Sequence, residues 1–227
     1  MPDVTHKTDI KKQLFEQLAL ITQSLASPQR IELLDYLAQA ERSVEELSHL
    51  SGLSTANTSR HLQVLKQNGL VLMRKQGKKR LYTIAGNDVV QLMSCLRNTA
   101  EKHLAEVERL KKTMRPNARS SETISSQELL SKMNNGTLLL LDVRPPKEFE
   151  QGHIRGAINI SPDALEQQTE EIAQGQTVVA YCRGPYCAYS YQMVESLRQQ
   201  GVDALRLEEG FPEWKAAGLP FEAKQPV

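Results

Sequence analysis

Residues 51–84 read SGLSTANTSRHLQVLKQNGLVLMRKQGKKRLYTI, and this stretch decides the fold of the first half of the chain. The tripeptide SGL at 51–53 predicts a tight turn, and Ser54 can cap a helix over 55–67. The apolar period changes at residues 70–84, which predicts two strands joined by a glycine-containing turn. The stretch therefore predicts a turn, a helix and a hairpin in that order.

The flanking segments complete a helix-rich domain. Apolar residues recur at helical spacing over 9–26 and 87–113, and Pro28 suits the first turn of a helix that follows Ser27. A further short helix is predicted at 44–50. Helix, turn, helix and basic hairpin is the order of a winged helix-turn-helix, so the first half is predicted to be an α+β domain of that class.

Such a domain places its second motif helix in the major groove and its hairpin near the DNA backbone. The helix residues predicted to contact phosphates or base edges are Thr55, Asn57, Thr58, Ser59, Arg60 and Gln63. The hairpin tip RKQGKKR at 74–80 carries five cations, and those predicted to contact DNA are Lys75, Lys78, Lys79 and Arg80. The predicted partner is double-stranded operator DNA.

Two of these segments resemble a known family. LSTANTSRHLQVLKQNGLV at 53–71 is similar to the recognition helix of the ArsR family of bacterial repressors, and SPQRIELLDYL at 27–37 resembles the family's second helix. The resemblance covers residues 12–110. It implies a homodimer that binds operator DNA and releases it when an inducer binds.

The second half alternates short apolar runs with helical segments. Strands are predicted at 137–143, 157–160, 177–182 and 204–209, and helices at 125–134, 162–173 and 187–200. This alternation predicts an α/β domain with a mainly parallel sheet. The polar residues 115–122 are predicted to link a domain at 1–114 to a domain at 123–227.

A cysteine stands directly after one predicted strand, in AYCRGPYCA at 180–188. Sites in α/β sheets form at the carboxyl ends of strands, and the start of the following helix favours a thiolate there. Cys182 is therefore predicted to be a nucleophile, and Arg183 is predicted to attract an anionic sulfur donor.

This loop resembles the active-site loop of rhodanese sulfurtransferases, as do LLLLDVRPPKEFEQGHIRGAINI at 138–160 and LEEGFPEWKAAGLP at 207–220. The resemblance implies that Cys182 takes a sulfane sulfur from a donor, holds it as a persulfide and passes it to a thiol acceptor. The predicted catalytic residues of this loop are Cys182, Arg183, Gly184, Tyr186 and Cys187, and the resemblance implies that Asp142 and Arg144 support the loop. Ala188 stands where phosphatases and arsenate reductases of this fold carry arginine, which argues against phosphate or arsenate chemistry.

The other two cysteines each have two interpretations. Cys187 either attacks a persulfide on Cys182, releasing sulfide and leaving a disulfide, or begins the next helix with a buried side chain. Cys95 is either a small buried apolar residue beside Leu92 and Leu96 or a secondary thiol that accepts sulfur.

No metal site and no cofactor is predicted. The Cys-x-Cys pair of metal-sensing ArsR proteins is absent from the short helix, and His103 and Glu106 are expected on a solvated helix face.

Charge is divided unevenly along the chain, although the net charge is only +1. Residues 1–118 hold 18 Lys and Arg against 12 Asp and Glu, whereas residues 119–227 hold 10 against 15. A basic half favours a polyanionic partner. The sequence contains neither the about 18–20 consecutive apolar residues of a membrane span nor a signal-peptide core. A cytoplasmic protein without a membrane partner is therefore predicted, and three cysteines are too few for a disulfide framework.

A DNA-binding domain joined to a sulfur carrier predicts a homodimeric repressor that responds to reactive sulfur through a persulfide on Cys182. One alternative is a thiosulfate or persulfide sulfurtransferase whose DNA-binding domain is autoregulatory. Another is a metal- or arsenic-responsive repressor. Only the first requires operator affinity to change when Cys182 carries sulfur.

Overall fold

The computed structural model describes residues 4–114, 123–134, 136, 138–160 and 176–223. Contacts within the chain divide it into one unit at Met1–Val89 and a second at Val90–Val227. The predicted linker at 115–122 and the predicted helix at 162–173 lie outside the described residues. In the part of the chain that the structure describes, no helix is both long and apolar enough to cross a membrane.

The first unit has four helices and three strands among its described residues. They are α1 Val4–Leu25, α2 Pro28–Gln39, β1 Arg42–Ser43, α3 Val44–Ser51, α4 Thr55–Gln67, β2 Val71–Gln76 and β3 Lys79–Ile84. The strands form an antiparallel sheet in the order β1-β3-β2. This arrangement confirms the predicted winged helix-turn-helix.

Local sequence explains the ends of the motif helices. The Ser43 hydroxyl accepts a hydrogen bond from Glu46 N–H while the Glu46 carboxylate accepts one from Ser43 N–H, a capping box that starts α3. The Ser54 hydroxyl caps α4 by accepting from Asn57 N–H. The hairpin between β2 and β3 turns at Gly77, whose φ of 58° favours glycine. Sequence patterning missed β1 because a strand of two residues has no readable period.

The core of the first unit forms where α2, α3 and α4 meet. Leu33, Leu34, Leu47, Leu62 and Leu65 are all fully buried there. Burial of this many apolar side chains is the main free-energy gain that holds the three helices together.

The remaining elements begin at the end of the first unit and make up the second. They are α5 Asn87–His103, α6 Ala105–Met114, β4 Thr123–Ile124, α7 Ser126–Asn134, β5 Leu138–Asp142, α8 Pro146–Gln151, β6 His153–Ile154, β7 Ile158–Asn159, β8 Thr177–Tyr181, α9 Ala188–Gln199, β9 Ala204–Leu207, α10 Phe211–Ala216 and β10 Phe221–Glu222. Five strands pair in the order β4-β9-β8-β5-β7, and every pairing in that sheet is parallel. The predicted α/β domain with a parallel sheet is confirmed.

Both faces of this sheet are buried, as expected for parallel strands. Leu141, Val178 and Ala180 belong to a cluster on one face, with Met193 and Leu197 of α9. The alternate strand residues Leu140, Val179 and Tyr181 belong to a second cluster that includes Leu129, Phe211 and Trp214. Alternate side chains of the continuous apolar strand β8 therefore pack into two hydrophobic cores, one on each face of the sheet.

The predicted helix over 87–113 is two helices, because helical structure is interrupted at Leu104, between α5 and α6. Lys111 Nζ lies 2.6 Å from Glu101 Oε2. In one straight helix these residues would be separated by a rise of about 15 Å, at about 1.5 Å per residue. The break allows α6 to turn back and form this ion pair, a tertiary contact that helical periodicity does not reveal.

Candidate functional site

Cys182 lies at the carboxyl end of β8, in the middle of the parallel sheet. Tyr181, the last residue of β8, is in register with Asp142 at the end of β5. The side chain of Cys182 is only 2% exposed and packs in the cluster formed with α9. The sheet thus places the cysteine where α/β proteins form their sites.

Cys182 and Cys187 form a disulfide, and their Cα atoms are 6.2 Å apart. Cys187 is also the N-cap residue of α9, and its side chain packs partly buried against the same cluster as Cys182. Cys187 therefore lies at the start of the helix, as one interpretation predicted, and its sulfur is within bonding distance of Cys182, while its attack on a persulfide stays a prediction. The N-terminus of this 12-residue helix favours negative charge on a sulfur placed there.

Arg183 differs from its predicted role, because its guanidinium is paired with Glu148 of α8. Arg183 Nε lies 3.1 and 2.9 Å from the two carboxylate oxygens, and Nη2 lies 2.6 Å from Oε1. The Glu148 side chain is 1% exposed, so its charge requires a close cation. Arg183 thus holds the loop against α8, a correction to the prediction that it attracts an anionic donor. Sequence reasoning missed Glu148, although it lies within the rhodanese-like stretch at 138–160.

Gly210 was also missed as a site residue, and it lies close to the backbone of the loop. A Cβ atom at Gly210 would lie 2.4 Å from the carbonyl oxygen of Arg183 and 2.6 Å from the nitrogen of Gly184. The next residue, Phe211, donates its N–H to the carbonyl oxygen of Cys182 at 3.3 Å. The start of α10 therefore packs directly on the backbone of the cysteine loop.

We expect Gly210→Ala to slow sulfur loading of Cys182 by about tenfold to a hundredfold, because the loop backbone must move by a substantial fraction of an ångström. The measurement is the rate of reaction of the reduced protein with a small alkyl persulfide. Gly184→Ala is the comparison variant, since a Cβ atom at Gly184 meets no atom within 4 Å, and its rate should fall much less. Equal rates for Gly210→Ala and wild type would contradict the role of this close packing.

Asp142 and Arg144 form a fully buried ion pair beside the loop. Arg144 Nη2 donates to Asp142 Oδ2 at 2.6 Å and to the carbonyl oxygen of Gly152 at 2.7 Å. Burial opposes the charge of Arg144, but Asp142, Tyr181 and Glu148 together outweigh burial, so the pKa of the guanidinium is raised. Its Cζ also lies 4.3 Å from the ring centroid of Phe211, which bonds the backbone of Cys182.

Tyr181 completes the polar network under the loop. Its hydroxyl accepts a hydrogen bond from Ile154 N–H at 3.0 Å. Burial, together with the nearby Asp142 carboxylate, raises the pKa of the Tyr181 hydroxyl above its usual value. The phenol therefore stays neutral and acts as a structural group.

On α4, most of the predicted DNA-contacting side chains are accessible, but one is not. Thr58 is fully buried, and its hydroxyl donates to the carbonyl oxygen of Ser54 at 3.0 Å. It packs on the inner face of the helix, which corrects its prediction as a DNA contact. Ser59 is half-buried, and the residues that remain exposed are Thr55, Asn57, Arg60 and Gln63.

The hairpin tip presents the four cations that were predicted to contact DNA, and all four are exposed. They are Lys75, Lys78, Lys79 and Arg80. The fifth cation of the stretch, Arg74, pairs with Glu41, with its Nε 2.7 Å from Oε1. On α4, burial and the charges of Arg30 and Arg60 lower the pKa of His61, so this ring is neutral at pH 7.

Cys95 lies on α5 and is exposed, which corrects the interpretation of this residue as a buried apolar side chain. Its thiol is free of any disulfide. Among the described residues, no three His, Cys, Asp or Glu side chains come together as a group able to hold a metal ion.

Residues 27–72 match the family described as bacterial regulatory protein, arsR family, and residues 125–217 match the rhodanese-like domain. HTH-type transcriptional regulator Rv0324 of Mycobacterium tuberculosis is 38% identical over 221 residues, which cover 97% of each chain. The chain belongs to the ArsR family of regulatory proteins. Like that relative, this family member is a DNA-binding transcriptional regulator, and it carries a rhodanese-like domain.

Two further relatives match one half each. A protein named sulfurtransferase from Allochromatium vinosum is 35% identical over 104 residues, which are 45% of this chain and 95% of that protein. The homodimeric winged helix-turn-helix DNA-binding domain of a possible ArsR-family regulator from Mycobacterium bovis is 39% identical, with a TM-score of 0.40. That structure covers 41% of this ArsR-family chain and 87% of its own.

Proposed function

We propose that this regulator is a homodimeric repressor whose operator binding responds to reactive sulfur through a persulfide on Cys182. The observation that carries the proposal is the bonded pair Cys182 and Cys187 at the carboxyl end of β8. A sulfur carrier needs a nucleophilic cysteine, and a sensor needs a covalent change that persists after sulfur has been transferred. The second cysteine provides that change by forming a disulfide with Cys182.

The chemistry takes two balanced steps. The Cys182 thiolate attacks the outer sulfur of a persulfide donor R–S–SH, forming Cys182–S–SH and releasing the thiolate R–S⁻. The Cys187 thiolate then attacks Sγ of Cys182, forming the disulfide and releasing HS⁻. The donor is reduced to a thiol, the two cysteines are oxidised, and a cellular thiol resets the pair by exchange.

The surroundings of the loop suit this role. The ion pair of Arg183 with Glu148 and the close packing of Gly210 hold the loop, and Asp142 with Arg144 forms a buried ion pair at the end of β5. A loop held in this way keeps the two sulfurs within reach of each other, which raises the rate of the second step.

DNA binding uses the exposed face of α4 and the four cations at the hairpin tip. Arg60 and the amide side chains of Asn57 and Gln63 can donate to base edges or phosphates. The cations lie on the hairpin that reaches the DNA backbone in this fold, so binding should weaken steeply as salt rises.

The dimer is supported by apolar surface on α1. Leu14, Phe15 and Leu18 are 59%, 58% and 63% exposed, although large apolar side chains are seldom left in water in such a row. A second copy of the chain is the proposed cover, and two copies would present two recognition helices to a two-fold operator.

The test is operator binding by fluorescence anisotropy at fixed salt, with an operator selected from random DNA by the reduced protein. We expect an alkyl persulfide to lower wild-type affinity by about 5–150-fold, the usual range of allosteric coupling. Cys182→Ser should not respond, whereas Cys95→Ser should respond as wild type does.

Other outcomes identify the alternatives. If wild-type affinity stays constant while Cys182 still takes up sulfur, the protein is a DNA-tethered sulfurtransferase. Release of DNA by metal ions from a Cys182→Ser/Cys187→Ser variant would favour a metal-responsive repressor.

A further inference from the structure

Tyr186 lies between the two bonded cysteines and contacts α5. Its hydroxyl donates to Oε1 of Glu101 at 2.8 Å. The guanidinium carbon of Arg97, one turn earlier on α5, lies 5.6 Å from the centroid of the Tyr186 ring. Two residues on one face of α5 therefore contact the residue that directly precedes Cys187.

Arg97 also contacts α10, the helix that packs on the cysteine loop. Its Nη1 lies 2.9 Å from Oε1 of Glu213, and the two side chains are only 14% and 8% exposed. The other carboxylate oxygen of Glu213 accepts a hydrogen bond from Gly210 N–H at 3.1 Å. Arg97 thus lies between the Tyr186 ring and the residue that positions Gly210 against the loop.

The helix that receives these contacts reaches the first unit. α5 begins at Asn87 and ends at His103, and the first unit extends to Val89, so the first residues of this helix belong to the first unit and the rest to the second. At its far end, Oε2 of Glu101 is held by Lys111 at 2.6 Å. A change at Tyr186 therefore acts on a helix that is continuous with the DNA-binding unit.

We propose that Tyr186, Arg97 and Glu101 form a relay that transmits the bonding state of Cys182 and Cys187 to α5. This inference rests on the proposed function, since it names how sulfur at the loop is communicated. When the disulfide closes the loop, residues 183–186 have few conformations, so fixing the Tyr186 ring on α5 costs little further entropy. When the bond is reduced, the loop regains conformations, and the contact with α5 weakens.

The experiment measures hydrogen exchange of α5 in the full-length protein by mass spectrometry, first reduced by a phosphine and then oxidised with diamide. Glu101→Ala removes the acceptor of the Tyr186 hydroxyl. Glu106→Ala is the matched control, because it removes the same charge on α6 from a carboxylate that pairs with Arg109. Tyr186→Phe tests the same contact from the loop side.

In wild type and Glu106→Ala, amides in the second half of α5 should exchange about fivefold or more slowly in the disulfide state, the lower end of allosteric coupling. In Glu101→Ala the two states should exchange alike. Adding Tyr186→Phe to Glu101→Ala should not change the exchange rates further, because both substitutions remove the same hydrogen bond between Tyr186 and Glu101. The relay is overturned if wild-type exchange is the same in both states, or if Glu101→Ala keeps the full difference.

Operator binding of the same samples separates the two proposals. If exchange in α5 depends on the disulfide but operator affinity does not, the proposed function fails and the relay stands. If operator affinity depends on the disulfide while exchange in α5 does not, the proposed function stands and the relay is wrong.

Discussion

Cys187→Ser is expected to keep a persulfide on Cys182 and to abolish the release of sulfide from it. In the proposed chemistry, the Cys187 thiolate displaces HS⁻ from the persulfide on wild-type Cys182 and leaves a disulfide between the two residues. A serine hydroxyl is not nucleophilic enough to replace that thiolate at neutral pH. One equivalent of an alkyl persulfide should therefore add one sulfur atom to the variant, which intact-protein mass spectrometry detects.

The matched measurements use the other two cysteines. Cys182→Ser should neither gain sulfur nor release sulfide, whereas Cys95→Ser should release sulfide with the wild-type yield, because Cys95 lies free on α5. Wild-type sulfide release from Cys187→Ser would show that another group resolves the persulfide, and the two-cysteine chemistry would be wrong.

Asp142→Asn is expected to lower the free energy of unfolding of the second unit by about 3–5 kcal/mol, the typical cost of breaking a buried ion pair from one side. Asp142 and Arg144 are both fully buried, and asparagine keeps the shape of the side chain while removing its charge. The guanidinium would then remain in the protein interior without its counter-charge.

Trp214 makes this measurement specific. It is the only tryptophan in the chain, and it is fully buried in the second unit. Its fluorescence during urea unfolding therefore reports that unit alone. Glu106→Ala, which breaks an ion pair with both side chains about two-thirds exposed, should leave the midpoint unchanged. An Asp142→Asn midpoint equal to that of wild type would show that Arg144 finds other stabilising partners.

The pairing of Arg183 with Glu148 changes what the loop can recognise. The cation next to Cys182 was expected to attract an anionic donor, but its charge is already balanced by a buried carboxylate. A small alkyl persulfide, which carries at most one negative charge, is therefore a better probe of the site than the dianion thiosulfate. Alkyl persulfides are therefore the sulfur donors of choice for loading Cys182.

Local patterns were enough to predict both folds and the position of Cys182. Helical spacing, capping serines and a glycine turn identified α2, α3, α4 and the hairpin, and short apolar runs identified the parallel strands β5, β7, β8 and β9. The two-residue strand β4 was missed, because it is too short to show a pattern. These signals work because backbone hydrogen bonding and the burial of one face act over a few neighbouring residues. The same local order places Cys182 at a strand end, where a site is expected.

The partners of individual side chains were decided only by tertiary structure. Thr58 faces inward although it was predicted, with five other polar residues of α4, to contact DNA, and Arg183 meets a carboxylate 35 residues earlier in the chain. Tyr186 bonds Glu101 across 85 residues, and α6 turns back to place Lys111 on the same carboxylate. Periodicity shows which face of an element is buried, but it carries no information about which distant group faces it. The packing of separate elements determines these partners. It also determines the contacts of the cysteine loop, the pairing of the two cysteines and their contact with α5.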